Sequence, residues 1–518
     1  MFNNRLSETE IRRAQVQHAL DAKKAHADRN RMGQFATPGP LAHDILQYAK
    51  TQLGTVDRIR FLDPAFGTGA FYSALLSVFS RSRIQAAVGY EIDRHYGVPA
   101  RDLWSDTGLR LHLEDFTQAE APAEPEKADL LICNPPYVRH HHICKDEKQR
   151  LQHRTRAVSG MRLSGLAGLY CHFLGLSHAW MRDNALAGWL IPGEFMDVNY
   201  GAALRRYLLD KVTLLHIHRF NPTERQFSDA LVSASVVWFR KAPAPAGHRV
   251  RFSYGGTLMH PEADRTVPVE ALRHTSKWSG FPTKTENKTA HSTVLGDFFH
   301  IKRGLVTGNN RFFILSADDI AQHQLPKAAF RPVLPSPRYL PDNEIRADEA
   351  GIPLLDRRLF LLDPPWSEAV IRETCPALWR YLEHGKAQGI ANGYLCRRRK
   401  PWYKQERRPP SPFLCTYLGR SNTRDAQPFR FILNTSQATA TNVYLMLYPK
   451  PPVKAFLKEH PEVLRRIWML LNTLRPEDLI AEGRSYGGGL YKLEPRELAN
   501  APAGTLWSLL SEHGLPLT

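Results

Sequence analysis

The chain has 518 residues, 43% of them hydrophobic and 23% charged, with 69 Lys and Arg against 51 Asp and Glu for a formal net charge of +18. That length holds a catalytic domain and a further one, and the cationic excess favours a polyanionic partner, because each neutralised phosphate releases counterions. No apolar run reaches the roughly 18 residues of a membrane span. The opening MFNNRLSETEIRRAQ lacks the apolar core of a signal peptide. Cys133, Cys144, Cys171, Cys375, Cys396 and Cys415 form no C-x-x-C pair, which excludes a zinc ribbon and a disulfide framework and fits a reducing cytoplasm. Charge alone leaves DNA, RNA and an anionic surface open.

In chain order, residues 5–30 read as one charged helix, with Ser7 as N-cap and Glu10 as its capping-box partner. Polar around most of its circumference, this segment (1–32) reads as an arm lying on something else. From 33 to 245, short apolar runs alternate with helical stretches, as in a doubly wound α/β domain. RIRFLD, AAVGYEI, ADLLICN, ALAGWLIP, VTLLHIH and SASVVWF read as buried strands, LAHDILQYAK and GAFYSALLSVF as helices between them. The Pro/Ala-rich KAPAPAGHRV, residues 241–250, opens a linker expected over 246–285. Residues 286–518, dense in Pro, Arg and aromatics, read as a second, mixed α+β domain.

Three strand ends carry the chemistry. Phe61-Leu62-Asp63-Pro64-Ala65-Phe66-Gly67-Thr68-Gly69 takes an apolar strand through an acidic residue into a Gly-rich turn that opens a helix. Gly67 and Gly69 permit a tight bend and close approach of a ligand to the backbone. The next strand ends in Tyr90-Glu91-Ile92-Asp93, an acidic residue where Rossmann-like domains hydrogen-bond a ribose. Together they indicate an adenosine-containing cofactor. The third strand runs into Asn134-Pro135-Pro136-Tyr137. Its prolines remove two amide donors, so nearby carbonyls and the Asn134 amide oxygen are left to accept from an exocyclic amine. Tyr137 offers a flat ring to a planar substrate.

In this order the motifs resemble those of the gamma-class adenine-N6 DNA methyltransferases of restriction–modification systems, over residues 30–240. The resemblance implies a Rossmann-like class I methyltransferase domain that uses S-adenosylmethionine. Gln34-Phe35-Ala36-Thr37-Pro38 would close over the methionine end, with Thr37 in contact. Asp63, Pro64, Ala65, Gly67 and Gly69 would form the cofactor turn. Glu91 would hold the ribose beside Ile92, and Asp115-Phe116 the adenine ring. Asn134 to Tyr137 would be the catalytic tetrapeptide, and Phe227 a second aromatic against a flipped base, with Phe220 as its competitor. In the C-terminal half, Ile301–Asn310 resembles the start of a target-recognition domain. Arg484–Pro495 resembles the closing segment of Eco57I and BsuBI/PstI-type enzymes. Arg303, Thr307, Asn309, Arg398, Lys400, Arg484 and Lys492 are its candidate DNA contacts. The implied setting is a bacterial or archaeal cytoplasm, at the nucleoid. There the chain would act as a monomer on double-stranded DNA, a separate cognate endonuclease being its counterpart.

Other features compete. Asp363-Pro364-Pro365-Trp366 is itself a tetrapeptide used by amino methyltransferases, but no Gly-rich turn precedes it suitably, so it reads as a structural turn. His140-His141-His142 with Cys144 lacks a partner pair at ligand spacing, so no metal site is expected. Arg397–Lys404 is equally readable as a solvated run or a phosphate contact. Asn-Pro-Pro-Tyr is shared with protein-glutamine and ribosomal RNA methyltransferases, the alternative reading. Those enzymes carry their extra domain before the catalytic one, whereas here more than 230 residues follow it.

Overall fold

In a computed structural model the chain divides into two compact units, Met1–Thr285 and Glu286–Ser485 with Gly489–Thr518. The structure describes residues 2–54, 58–221, 234–275, 277–282, 293–420, 427–486 and 489–513, except for the side chains of 2–7 and 485. The Phe227 position therefore lies outside the described residues.

The first unit runs α1 (Phe2–Ala22), α2 (His26–Met32), α3 (Gly39–Leu53), β1 (Ile59–Asp63), α4 (Ala70–Val78), β2 (Ile84–Tyr90), α5 (Arg94–Leu103), β3 (Leu109–His112), β4 (Ala128–Cys133), α6 (Lys145–Ser159), α7 (Leu169–Leu176), β5 (Met181–Pro192), α8 (Ala202–Asp210), β6 (Thr213–Arg219), β7 (Ala234–Arg240), β8 (Arg249–Tyr254) and β9 (Ala263–Pro268). All six predicted strands and both predicted helices form. The strands make one nine-stranded sheet in the order β3-β2-β1-β4-β5-β7-β6-β8-β9. It is parallel from β3 to β5, and β7 runs antiparallel between β5 and β6. Successive residues of a strand point to opposite faces, and here both faces are covered. Leu131 and Cys133 of β4 pack with Ala187, Trp189 and Ile191 of β5 into one core, and Leu130 and Ile132 with Leu186 and Leu190 into the other. That double burial is why these runs are apolar without alternation. The strand order reverses direction between β1 and β4, so the ends of β1 and β4 flank the crevice where open α/β sheets bind ligands.

Three expectations change. The N-terminal helix starts at Phe2, so Ser7 lies inside it rather than capping it. It also breaks after Ala22 into two helices, and Glu10 pairs with Arg13 instead. The linker expected at 246–285 contains β8 and β9, an edge hairpin of the catalytic sheet, in which buried Val250 and Phe252 alternate with less buried arginines. An edge strand needs only one apolar face, so its sequence reads as loop. Strand β3, Leu-Arg-Leu-His with no fully buried residue, was not foreseen for the same reason.

The second unit is mixed α+β, as expected. Its main sheet orders Phe299–Arg303, Tyr444–Pro449, Phe413–Thr416, Phe431–Asn434 and Glu344–Ile345. It has two three-stranded sheets besides, and three separate apolar clusters hold it together.

Candidate cofactor and target-base site

The turn after β1 is held by its own backbone. Asp63 is buried and its Oδ1 accepts from the Ala65 amide at 3.2 Å, while the Phe66 amide donates to the Tyr90 carbonyl at 2.8 Å. Gly69 has φ 90°, and a Cβ there would lie 2.6 Å from Trp104 Nε1, which already donates to the Thr68 carbonyl. Gly67 has φ 57° with open space where its Cβ would be, so the backbone itself forms a ligand-facing wall. Its amide donates to Glu91 Oε2 at 2.8 Å, and the Asp93 amide donates to Glu91 Oε1 at 2.7 Å. Burial pushes Asp63 up to about 8, with the nearby Glu91 raising it further, and burial raises Glu91 as well. Two crowded carboxylates without a full counter-charge make this a place for cations and hydroxyl donors.

At the end of β3, Asp115 Oδ1 accepts from the Thr117 amide and hydroxyl, both at 2.8 Å. Arg150 of α6 stands 3.7 Å from Asp115 and donates to the Thr117 carbonyl and hydroxyl, bolting this corner to the helix that follows the tetrapeptide. Phe116 is buried among Tyr90, Phe173 and Trp180. Ile92 is 59% exposed, an apolar surface without a cover.

At the end of β4, Asn134 Nδ2 donates to the Phe35 carbonyl at 2.9 Å and to Thr37 Oγ1 at 3.0 Å. Both amide protons are thereby engaged by the segment 34–38, which orients the amide and leaves Oδ1 as its acceptor. The same segment is pinned by the Tyr137 amide donating to the Gly33 carbonyl at 3.0 Å. The Tyr137 ring is buried, and its hydroxyl donates to the Leu190 carbonyl of β5 at 3.0 Å, which anchors the loop to the sheet.

These strand ends enclose a cavity of about 260 Å³. Of the predicted residues, Pro64, Ala65, Gly67, Glu91, Ile92, Asp115, Phe116, Asn134 and Pro136 line it. Thr37, Asp63, Gly69, Pro135 and Tyr137 stand behind that lining. Gln17, Asp21, Tyr96, Thr117, Glu147 and Phe173 also line it and were not foreseen. Arg13, Gln17 and Asp21 recur every fourth residue on one face of α1, the signal that could have drawn attention to them. Phe220 packs edge-on against His218 inside the core.

The candidate DNA contacts sort differently. Thr307 is buried and donates to Asn310 Oδ1, and Asn309 caps the helix that follows it. Arg303 lies over the Tyr417 ring at 3.8 Å and donates to the Asn442 carbonyl. Arg484 pairs with Glu497 and Lys492 with Glu494, each at 2.9 Å. These five hold the second unit together, whereas Arg398 and Lys400 are exposed, beside a Tyr394 that is 59% exposed. Asp363 pairs with Arg331 at 3.3 Å and accepts from the Gln405 amide at 3.1 Å, so the second tetrapeptide is a structural turn. His140–His142 forms a 3-10 turn, and among the described residues no three metal-ligating side chains converge.

A seven-stranded core ordered 3-2-1-4-5-7-6 with the seventh strand reversed, and a cavity across its switch point, define a class I methyltransferase. Two family models match the chain, the Eco57I restriction–modification methylase over residues 101–227 and the C-terminal domain of the Type II methyltransferase M.Eco57I over 283–512. Both matched regions are those of Eco57I-type Type II restriction–modification methyltransferases. The Type II methyltransferase M.XamI of Xanthomonas campestris pv. amaranthicola is 29% identical over 475 residues, 90% of this chain and 84% of that one. M.AccI of Acinetobacter calcoaceticus is 26% identical over 489 residues, 91% and 85%. In fold, the chain matches the Type IIL restriction–modification enzyme MmeI, solved with DNA, at TM-score 0.55 and 13% identity, over 85% of this chain and 66% of that one. S-adenosylmethionine is the cofactor of this class, and the cavity fits it. Among the lining residues, Glu91 and Asp115 present carboxylates, Gly67 an open backbone face and Ile92 an exposed apolar side chain.

Proposed function

We propose that this enzyme methylates the N6 amine of an adenine extruded from duplex DNA, as the modification component of a restriction–modification system. In this reading it works as a monomer alongside a separate endonuclease. The observation that carries the proposal is the double donation of Asn134 Nδ2 to Phe35 and Thr37. An aromatic exocyclic amine is a weak nucleophile, because its lone pair is delocalised into the ring. Asn134 Oδ1, with its amide locked, accepts one N–H, and the Pro135 carbonyl accepts the other. Both contacts draw the nitrogen toward tetrahedral geometry and localise its lone pair. The acceptors are set before substrate arrives, so no reorganisation accompanies the reaction. Bound S-adenosylmethionine supplies the electrophilic methyl group on its sulfonium. Glu91 and Asp115 hold the ribose and adenine ends, and the segment 34–38 closes the methionine end. The site is enclosed by strand ends, so a stacked base cannot reach it and must leave the helix. The second unit supplies target recognition, with Arg398 and Lys400 as its phosphate contacts. Sequencing that detects modified bases in DNA from cells expressing the enzyme tests the reading. N6-methyladenine at one recurring sequence is the expected result, and N4-methylcytosine, or no DNA modification with methylated RNA or protein instead, refutes it.

A further inference from the structure

The family match begins at residue 101, yet the cavity has a wall far upstream of it. Helix α1 lies along the Gly-rich turn and touches it through a continuous polar chain. Arg13, only 3% exposed, donates through Nη1 to Thr68 Oγ1 at 3.0 Å, and Thr68 Oγ1 donates to Gln17 Oε1 at 2.7 Å. Gln17 Nε2 then donates to Asp21 Oδ1 at 3.0 Å, where the Tyr96 hydroxyl also donates at 2.8 Å. Arg13 is aimed by a two-pronged contact to Glu10. A second fastening lies at the far end of the arm. Lys24 Nζ donates to Asp93 Oδ2 at 2.5 Å and to Gln34 Oε1 at 2.7 Å, and Gln34 Nε2 donates to the same Asp93 oxygen at 2.8 Å. His95 Nε2 and the Leu20 carbonyl lie 2.9 Å apart.

A helix whose composition is mostly polar gains little from apolar burial, so its position rests on these contacts. Both fastenings lie on cofactor-binding elements, the turn after β1 and the segment after β2. Between them, Gln17 and Asp21 line the same cavity as Gly67 and Glu91. Asp21 joins Glu91, Glu114, Asp115 and Glu147 as a fifth carboxylate on the cavity lining, with Arg29 at 3.7 Å as its counter-charge. A cavity lined by that many carboxylates suits a ligand that brings donors.

On the cofactor reading given above, we propose that Asp21 and Gln17 are further cofactor-binding residues and that α1 is the wall that encloses the bound cofactor. Asp21 accepts from a hydroxyl or ammonium donor of the ligand. Gln17 transmits the position of Thr68, and hence of the Gly-rich turn, to that carboxylate. Binding and arm closure are then one equilibrium, and the ligand is released by lifting α1.

The test uses the full chain and S-adenosylhomocysteine, the product form of the cofactor, in calorimetry. Asp21→Asn is expected to weaken its binding about tenfold, the loss of one charge-assisted hydrogen bond, and Gln17→Ala severalfold. Arg12→Ala, an exposed position on the same helix, is expected to bind as the unaltered chain does. 5′-Methylthioadenosine, which has the ribose but no ammonium, distinguishes the donor. A loss with both ligands assigns Asp21 to the ribose, and a loss with S-adenosylhomocysteine alone assigns it to the ammonium. Independently, the ligand is expected to slow tryptic cleavage at Lys23–Lys24, the turn between α1 and α2, at least fivefold. Thermal melting of each variant separates a loss of fold from a loss of binding, and Gln17→Ala serves if Asp21→Asn does not fold. Unchanged affinity in both variants, or unchanged cleavage with ligand present, overturns the role of the arm. Failure of the unaltered chain to bind either ligand overturns the cofactor reading beneath it as well.

Discussion

Replacing Asn134 by alanine separates the catalytic reading from a merely structural one. The substitution removes the Oδ1 acceptor, which acts on an amine as it becomes tetrahedral, and so it bears on the transition state more than on binding. Loss of one preorganised polar contact of this kind costs about 2.7–4 kcal/mol, or roughly 10²–10³ in turnover. The Phe35 carbonyl and Thr37 Oγ1 lose their donor as well. At about 1 kcal/mol per hydrogen bond, folding stability is expected to fall by roughly 1–2 kcal/mol, too little to unfold the domain. Single-turnover methylation of a cognate duplex with labelled cofactor reads the first effect, and thermal melting the second. Affinities for DNA and S-adenosylhomocysteine are expected to stay within a few-fold. Asn134→Asp retains an acceptor but sets a carboxylate against the Phe35 carbonyl, so it is expected to rescue only in part. Near-normal turnover by Asn134→Ala, with activity abolished in Asp363→Ala, would place the chemistry at the second tetrapeptide and refute the reasoning.

Two further outcomes concern the same site, and a third the second unit. Burial holds Asp63 protonated up to about 8, so the ligand-free fold takes up a proton that the unfolded chain does not. Its contribution to stability is full at low pH and is lost as pH rises through about 8. The sulfonium of S-adenosylmethionine favours the ionised form, so its affinity is expected to climb between pH 6 and 8, by up to about tenfold per unit. A flat calorimetric profile counts against the assignment. Gly69→Ala is expected to lower the melting temperature through a 2.6 Å contact at Trp104 and its positive φ, together worth about 1–3 kcal/mol. Gly67→Ala meets open space and is expected to weaken cofactor binding more than stability; equal behaviour of the pair would be the contrary result. If Arg398 and Lys400 contact phosphates, their double alanine variant is expected to lower the slope of log affinity against log salt by roughly 1.8, and an unchanged slope removes them from the interface.

Much of this enzyme is legible in its sequence because the deciding interactions are local. A strand buried on both faces is a continuous apolar run, as RIRFLD and ADLLICN are, and its end in Gly-rich or Pro-Pro chemistry marks where ligands meet backbone. The order of Asp63, Glu91 and Asn134 along the chain is likewise set before folding. Edge elements were the first to escape. Strands β3 and β9 bury at most one face, and that leaves a weaker pattern than a core strand. Polar residues escaped more widely, because their roles depend on partners far away in the chain. Arg303, Arg484 and Lys492 look like phosphate contacts until Tyr417, Glu497 and Glu494 engage them. The Tyr137 hydroxyl likewise finds its partner only 53 residues on, at the Leu190 carbonyl. Asp21 reads as one more surface charge until α1 is laid against Thr68 and Tyr96. The orientation of the Asn134 amide also belongs to tertiary structure alone, since only Phe35 and Thr37, nearly a hundred residues upstream, decide which of its atoms is left to accept.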